Sequence, residues 1–463
     1  MQIIINKPVT LLLILIIFFI LVLIVVLLLA KPLTRYIIKM ASNDFSKKLL
    51  SDKYTQNLAE LIPSLQRFSV LNLIETGLRA HQGKVITRPL GTPKHFPGFE
   101  KLLFVPPLMA KLSLHESTKI NMRVTLGPKA TKPLTLEIPL MISAMAYGLA
   151  LSDEAKIALA RASKTLQTAI CSGEGPLLPE ERQEAGNYIL QISRWSWGGR
   201  TSQQIASANM LEVQMGQGAD MGSVRVEATE LEGRAQQLGG LAPGEPAISL
   251  PAPPGINAPE DWPKFMEDLR QKANGIPIAL KLMATGRIEE DLAFAVDLGF
   301  DAVVIDGSQG GSHATTPIKQ DDFGIPTLNA LIRTVEYLKN QPISIIISGG
   351  FFTPGNCLKA LALGADAIFL ATVPLFALVH DQAEKVTPWE PPTTLVYYDS
   401  PSKSKLDIAL ATTSVTNTLQ AMALEMEEGM RALGKKSLKE LSPDDLVALD
   451  TYTAEVTGVK RIY

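Results

Sequence analysis

Two apolar patterns divide the chain. The first is an unbroken run over residues 11–30, with no charge, glycine or proline in it. As a helix, such a run is long enough to cross the ~30 Å hydrocarbon core of a bilayer. The second pattern begins near residue 138, where short apolar, β-branched segments alternate with helical stretches, as in parallel βα units. Eight such segments stand out, at residues 138–143, 168–172, 188–192, 210–214, 276–282, 302–306, 343–348 and 367–370. Residues 152–167 predict the first helix between them, opening Ser152-Asp153-Glu154 with acidic charge where a helix N-terminus favours it. The interval between Gln214 and Ile276 far exceeds the length of a βα loop and holds the Pro-rich segment 250–255, which predicts an excursion over the mouth of a site. Residues 406–433 turn rich in Ala, Leu, Met and Glu and predict a closing helix.

Eight alternating units predict an α/β fold, a (β/α)8 TIM barrel, preceded by a transmembrane helix and followed by a C-terminal helical extension. The expected organisation is an anchor over 1–30, a juxtamembrane helical segment over 31–84, the barrel over 85–395 and C-terminal helices over 396–463. Residues 81–132 carry Arg88-Pro89, Gly91-Thr92-Pro93 and Val105-Pro106-Pro107, which suggests an irregular lead-in crossing one barrel face. A signal peptide competes with the anchor, but its apolar region is about 7–15 residues and ends at a small-residue cleavage site. Here Leu29-Ala30-Lys31-Pro32 is a poor site of that kind. Lys31, Arg35, Lys39, Lys47 and Lys48 follow the run and only Lys7 precedes it. The positive-inside rule then gives a single-pass membrane protein with the rest of the chain in the cytoplasm.

Glycine clusters follow or precede three of the last strands: Gly307-Ser308-Gln309-Gly310-Gly311, Ser348-Gly349-Gly350 and Leu363-Gly364-Ala365-Asp366. Glycine at a strand end lets backbone N–H groups approach a phosphate closely, because no Cβ intervenes. Repeated at successive strand-to-helix junctions, it marks the phosphate-gripping end of a barrel. Composition narrows the rest. The 463 residues are 46% hydrophobic and 19% charged, as in a globular chain, and a net charge of −2 gives no reason to expect nucleic acid. The only cysteines are Cys171 and Cys357, too few for a four-ligand zinc site or an iron–sulfur cluster.

Over about residues 85–455 the chain resembles the FMN-binding synthase domain of glutamate synthases, stretch by stretch. Arg88-Pro89-Leu90-Gly91-Thr92 is similar to the family's entry segment, and Ile142-Ser143-Ala144-Met145-Ala146-Tyr147-Gly148 to its first strand and loop. Ser172-Gly173-Glu174-Gly175 resembles the segment after strand two, and Ile189-Leu190-Gln191 the Gln-bearing third strand. Glu212-Val213-Gln214-Met215-Gly216-Gln217-Gly218-Ala219, Leu280-Lys281-Leu282 and residues 307–317 match later motifs in order. The resemblance implies FMN at the C-terminal ends of the strands. Ser143, Met145 and Gln191 would meet the isoalloxazine, and Lys281 would sit near its N1/O2 side, where a cation stabilises reduced flavin. Gly310, Gly311, Gly349, Gly350 and the Ala371-Thr372 turn would present N–H groups to the phosphate. Lys281 and Glu174 are the candidate catalytic residues, with Glu174 on the substrate side. The activity implied is reduction of an imine formed from a 2-oxo acid and ammonia.

Departures from the family accompany the match. No cysteine lies in residues 373–390, where the family's [3Fe–4S] trio stands, so no cluster is expected and a separate electron donor is. Asp220 stands where the family has a lysine at its carboxylate-gripping stretch, which should repel a dianion unless Arg225 points inward to compensate. The chain begins Met1-Gln2, without a glutaminase's N-terminal cysteine. The alternative reading is a flavin-binding membrane protein that is non-catalytic or takes a different substrate. Asp306 is expected to orient its loop, Cys171, Trp195 and Trp197 to pack, and His313 to lie in the phosphate-side loop.

Overall fold

In the computed structural model, which describes residues 7–313 and 315–463, the core is built around the inner and outer faces of eight strands, with the surrounding helices packed on the outer one. The strands are β1 (Leu140–Ile142), β2 (Ala169–Cys171), β3 (Asn187–Ile192), β4 (Met210–Gln214), β5 (Ile278–Met283), β6 (Ala302–Asp306), β7 (Ser344–Ser348) and β8 (Ala367–Leu370). They close in sequence order, β8 pairing back on β1, and every pairing is parallel. Six fall within the segments read from the apolar pattern, and the strands at Asn187–Ile192 and Ile278–Met283 each overrun theirs by one residue.

Alternation along the strands sorts the side chains. Leu140, Ile170, Leu190, Leu211, Leu280, Val303, Ile345 and Ile368 face the surrounding helices. Met141, Ala169, Ile189, Met210, Ala279, Val304, Ile346 and Phe369 fill the interior. Continuing the inner face toward the C-terminal ends, the residue types become polar: Ser143, Cys171, Gln191, Glu212, Lys281, Asp306 and Ser348, all buried. The barrel is thus plugged with hydrocarbon below and lined with titratable groups above. A hairpin of Val124–Leu126 and Leu134–Leu136 closes the lower end, its leucines joining the interior cluster and Gly127 N–H donating to Ser344 Oγ at 3.1 Å.

The lead-in does cross the barrel. Leu90 N–H donates to Ser312 O at the upper end, and Leu102–Phe104 pairs antiparallel with Leu446–Ala448 before the hairpin is reached. Ser152 caps the helix Asp153–Thr165, accepting from Ala155 N–H, and the long helix Ile408–Ala432 packs against it. The excursion after β4 forms a two-stranded piece, Arg225–Val226 with Ala247–Ile248, and the short helices Ala228–Leu231 and Arg234–Gly239.

The chain divides into two compact units, with Ile86 ending the first and Thr87 beginning the second. In the first, a helix runs Lys7–Ser51 without a break at the expected end of the anchor, carrying Pro32 inside it. It is long and apolar enough to cross a membrane, and its apolar side chains from Leu15 to Leu29 are exposed. A second helix, Leu61–Gln82, bends at Ser69, where φ is +58°.

Candidate active site

Lys281 stands in the middle of β5 with its side chain turned into the barrel, 1% exposed. Its register partners are Gln214 on β4 and Val304 on β6. Nζ lies 6.0 Å from the centre of the Phe369 ring and is met by no hydrogen bond among the described residues. Burial works to lower its pKa, but the negative charges of Glu212 and Asp306 overcome that and hold it above the ordinary lysine value. The amine therefore stays charged in a dry place. Around it the carboxylates are themselves engaged: Glu212 Oε1 accepts from Gln191 Nε2 at 2.6 Å and from Cys171 Sγ at 3.5 Å. Asp306 Oδ2 accepts the Gly218 N–H at 3.0 Å, which ties the loop after β4, rather than its own, to the end of β6.

Ser143, Lys281, Gly310, Gly311, Gly349, Gly350, Ala371 and Thr372 line one cleft beside that amine. Here the glycines are forced by space. A Cβ on Gly310 would lie 2.5 Å from Asp306 Oδ1, and one on Gly218 would lie 2.5 Å from Gly307 O. Gly349 and Gly350 have φ of +106° and +79°, a region that favours glycine. Gly310 donates its N–H to Gly307 O at 2.9 Å, so it contributes room to the cleft while its donor serves the loop's own turn. Ala371 caps the helix Thr372–Val379 without a side-chain bond, leaving its first N–H groups open to an anion. Ser348 Oγ is buried here without a partner.

Glu174, Met145 and Gln191 line an adjoining cavity of about 260 Å³, which shares Ala144, Gln217, Gly311, Ala371 and Thr372 with the cleft. Glu174 sits between Gly173 and Gly175 because the loops after β1 and β2 touch backbone to backbone. A Cβ at Gly175 would be 2.1 Å from Tyr147 O, and one at Gly173 would be 2.7 Å from Ala146 N. Ser193 Oγ and Trp197 Nε1 donate to the Glu174 carbonyl, which fixes the loop. Asp220, 4% exposed, lines the same cavity close enough for its carboxyl to act on that of Glu174, with Arg194 Nη2 3.7 Å from its Oδ2. Burial first and the charge of Asp220 second push Glu174 up to about 8, against the pull of the Trp195 indole first and then of Arg194 and Lys281. Burial raises Asp220 as well, with Arg194 opposing.

Residues 96–436 match the family described as the conserved region in glutamate synthase. A glutamate synthase large subunit-like protein from Rhizobium meliloti is 30% identical over 85% of this chain and 93% of its own length. The chain belongs to the glutamate synthase family. An archaeal-type NADPH glutamate synthase from Thermotoga neapolitana is 28% identical over 81% of this chain and 75% of that one. A mandelate oxidase variant solved with an FMN adduct superposes more loosely, with a TM-score of 0.48 at 18% identity over 74% of this chain and 86% of that one.

Within the glutamate synthase family, the cleft and the cavity of this chain differ in how well its sequence announces them. The expected flavin- and phosphate-side residues all line one or other space, Lys281 among those of the cleft. Arg194 was not foreseen: it follows β3 between Ser193 and Trp195, with only that position to mark it. Arg225 reaches the cavity rim but is 55% exposed and bound to Glu227 at 2.7 Å, so the cation facing Asp220 is Arg194 instead. Trp195 and Trp197 stack at 5.3 Å and 3°, Trp195 packing with Leu231 and Ala247. His313 lies on the cavity wall with its ring 4.4 Å from that of Tyr397, and burial lowers its pKa. Cys171 is fully buried and burial pushes its thiol well up, while Cys357 is buried in the helix Pro354–Ala362. Among the described residues no three His, Cys, Asp or Glu are placed to hold a metal.

Proposed function

We propose that this member of the family is an FMN-dependent oxidoreductase acting on a carbon–nitrogen bond. In the form carried by its relatives' names, the reaction is reduction of an imine made from a 2-oxo acid and ammonia. The observation that carries the reading is Lys281, its pKa held up by neighbouring carboxylates and its amine unbonded among the described residues, lining an anion cradle that adjoins a substrate-sized cavity. FMN fits these residues. Gly311, Gly349, Gly350 and the N–H groups at Thr372 would hold its phosphate, and Ser143, Met145 and Gln191 its ring system. When bound, FMN supplies hydride transfer. Lys281 would hold positive charge beside the ring, and Glu174, protonated near neutral pH, has a proton available at the cavity wall. The two cysteines leave electrons to arrive from a separate donor.

The N-terminal helix supports a membrane-anchored protein held through residues 11–30, and the cations after that run support a cytoplasmic barrel. Asp220 favours a second form of the same reading, a flavoprotein whose substrate differs from the family's dicarboxylate. The test is purification of the full chain in detergent. Bound flavin that is released on denaturation, and a loss of it in Lys281→Met, are the expected results. A colourless protein that takes up no added FMN removes the proposal.

A further inference from the structure

The charge on the cavity wall names a substrate class for the carbon–nitrogen reading just given. Glu174 Oε2 and Asp220 Oδ1 are buried and have no partner, and both residues line the cavity. Other charged groups face this pair from every side. Arg194, after β3, approaches Asp220 but spends Nη1 on Gly222 O at 2.9 Å. Lys281 on β5 and Lys319 on the short helix Pro317–Asp321 act on Asp220 from farther away. The excursion contributes Arg225, engaged by Glu227, and Glu230, and the loop after β6 contributes His313, which burial favours neutral.

Two neighbouring carboxyls out of water cannot both ionise, so the empty pair shares a proton. A cation entering between them replaces that proton and satisfies both orphan oxygens. A dicarboxylate has the opposite experience, because it meets two carboxyls and one guanidinium whose nearest nitrogen, though without a hydrogen-bond partner, already stands 3.7 Å from Asp220 Oδ2. We propose that the substrate presents a protonated nitrogen, as an amine or iminium, between Glu174 and Asp220, and carries no second carboxylate at that end.

The probes are protonated n-alkylamines from methylamine to hexylamine, and 2-oxoglutarate. Each is titrated calorimetrically into the full chain in detergent, with and without added FMN, after flavin uptake has been read from absorbance. Saturable amine binding is expected, with heats that change with the buffer's ionisation enthalpy because a proton leaves the pair. Asp220→Asn should weaken it by about tenfold or more, and adding Glu174→Gln should abolish it, while retained flavin uptake shows that both variants fold. Saturable binding of 2-oxoglutarate with none of the amines overturns the inference, as does amine binding unchanged in Asp220→Asn. A chain that ignores FMN yet binds amines through Asp220 keeps this site and removes the flavin reading instead.

Discussion

Lys156 and Lys281 are both shut away from solvent, 0% and 1% exposed, and they differ in everything else. Lys156, on the helix after β1, has all its bonding capacity filled. It pairs with Glu181 at 2.8 Å and donates to Met145 O at 2.6 Å and Ser172 O at 3.1 Å. Lys281 has carboxylates around it but no hydrogen bond among the described residues, and it opens onto a cleft. A buried ammonium with three partners holds protein to protein. One with none awaits something else, since an unpaired buried charge is costly to keep. The comparison teaches that burial alone does not mark a functional lysine; unused donors beside open space do.

The comparison breaks first at Lys156. Lys156→Met should cost about 3–5 kcal/mol of stability, because it leaves Glu181 buried without its cation. Burial already raises the Glu181 pKa even with Lys156 beside it, so the variant's carboxyl should take up a proton. Thermal or urea unfolding of the isolated variant reads this. Removing both charges, as Lys156→Met with Glu181→Gln, should recover much of the loss. A single variant as stable as the parent would show that Lys156 does not carry the loops after β1 and β2.

Lys281→Met should have the reverse profile. Stability changes by about 1–3 kcal/mol or less, since no hydrogen bond is lost, whereas FMN affinity falls by about tenfold or more. Equilibrium dialysis against FMN alongside an unfolding curve separates the two effects. Equal stability losses in Lys156→Met and Lys281→Met, with flavin affinity intact in the second, would erase the distinction.

The same contrast explains what the chain's sequence made legible. Strands were readable because a parallel barrel buries both faces, giving β-branched runs such as Ile345-Ile346-Ile347 between glycine-rich ends. Lys281 stood out as one charge among Ala279, Leu280, Leu282 and Met283. Lys156 did not, because on the helix Asp153–Thr165 a lysine beside Asp153 and Glu154 reads as an ordinary exposed charge. Its burial depends on the helix Pro179–Glu184, whose Glu181 follows the next strand of the barrel. Arg194 was obscure for the same reason, and Asp220 stood out only against the family's lysine: their pairing, 26 residues apart, is announced by neither strand pattern nor glycine spacing.

The mildest of the three tests concerns Glu174, which like Lys281 faces open space with capacity unused. Its carboxyl is pushed from 4.5 up to about 8, by burial first and then by Asp220. Its folded pKa is therefore above its unfolded one, and below 4.5 the group is protonated in both states. As pH rises from 4.5 toward 8 the unfolded chain ionises first, so the unliganded fold loses stability across that window. Glu174→Gln carries no titrating proton and should flatten this slope while leaving stability at acidic pH nearly unchanged. Melting temperatures of the flavin-free protein and the variant, taken at matched pH across the window, measure it. Parallel curves would mean that Glu174 ionises freely, and the wall of the cavity would then be solvated where the structure makes it dry.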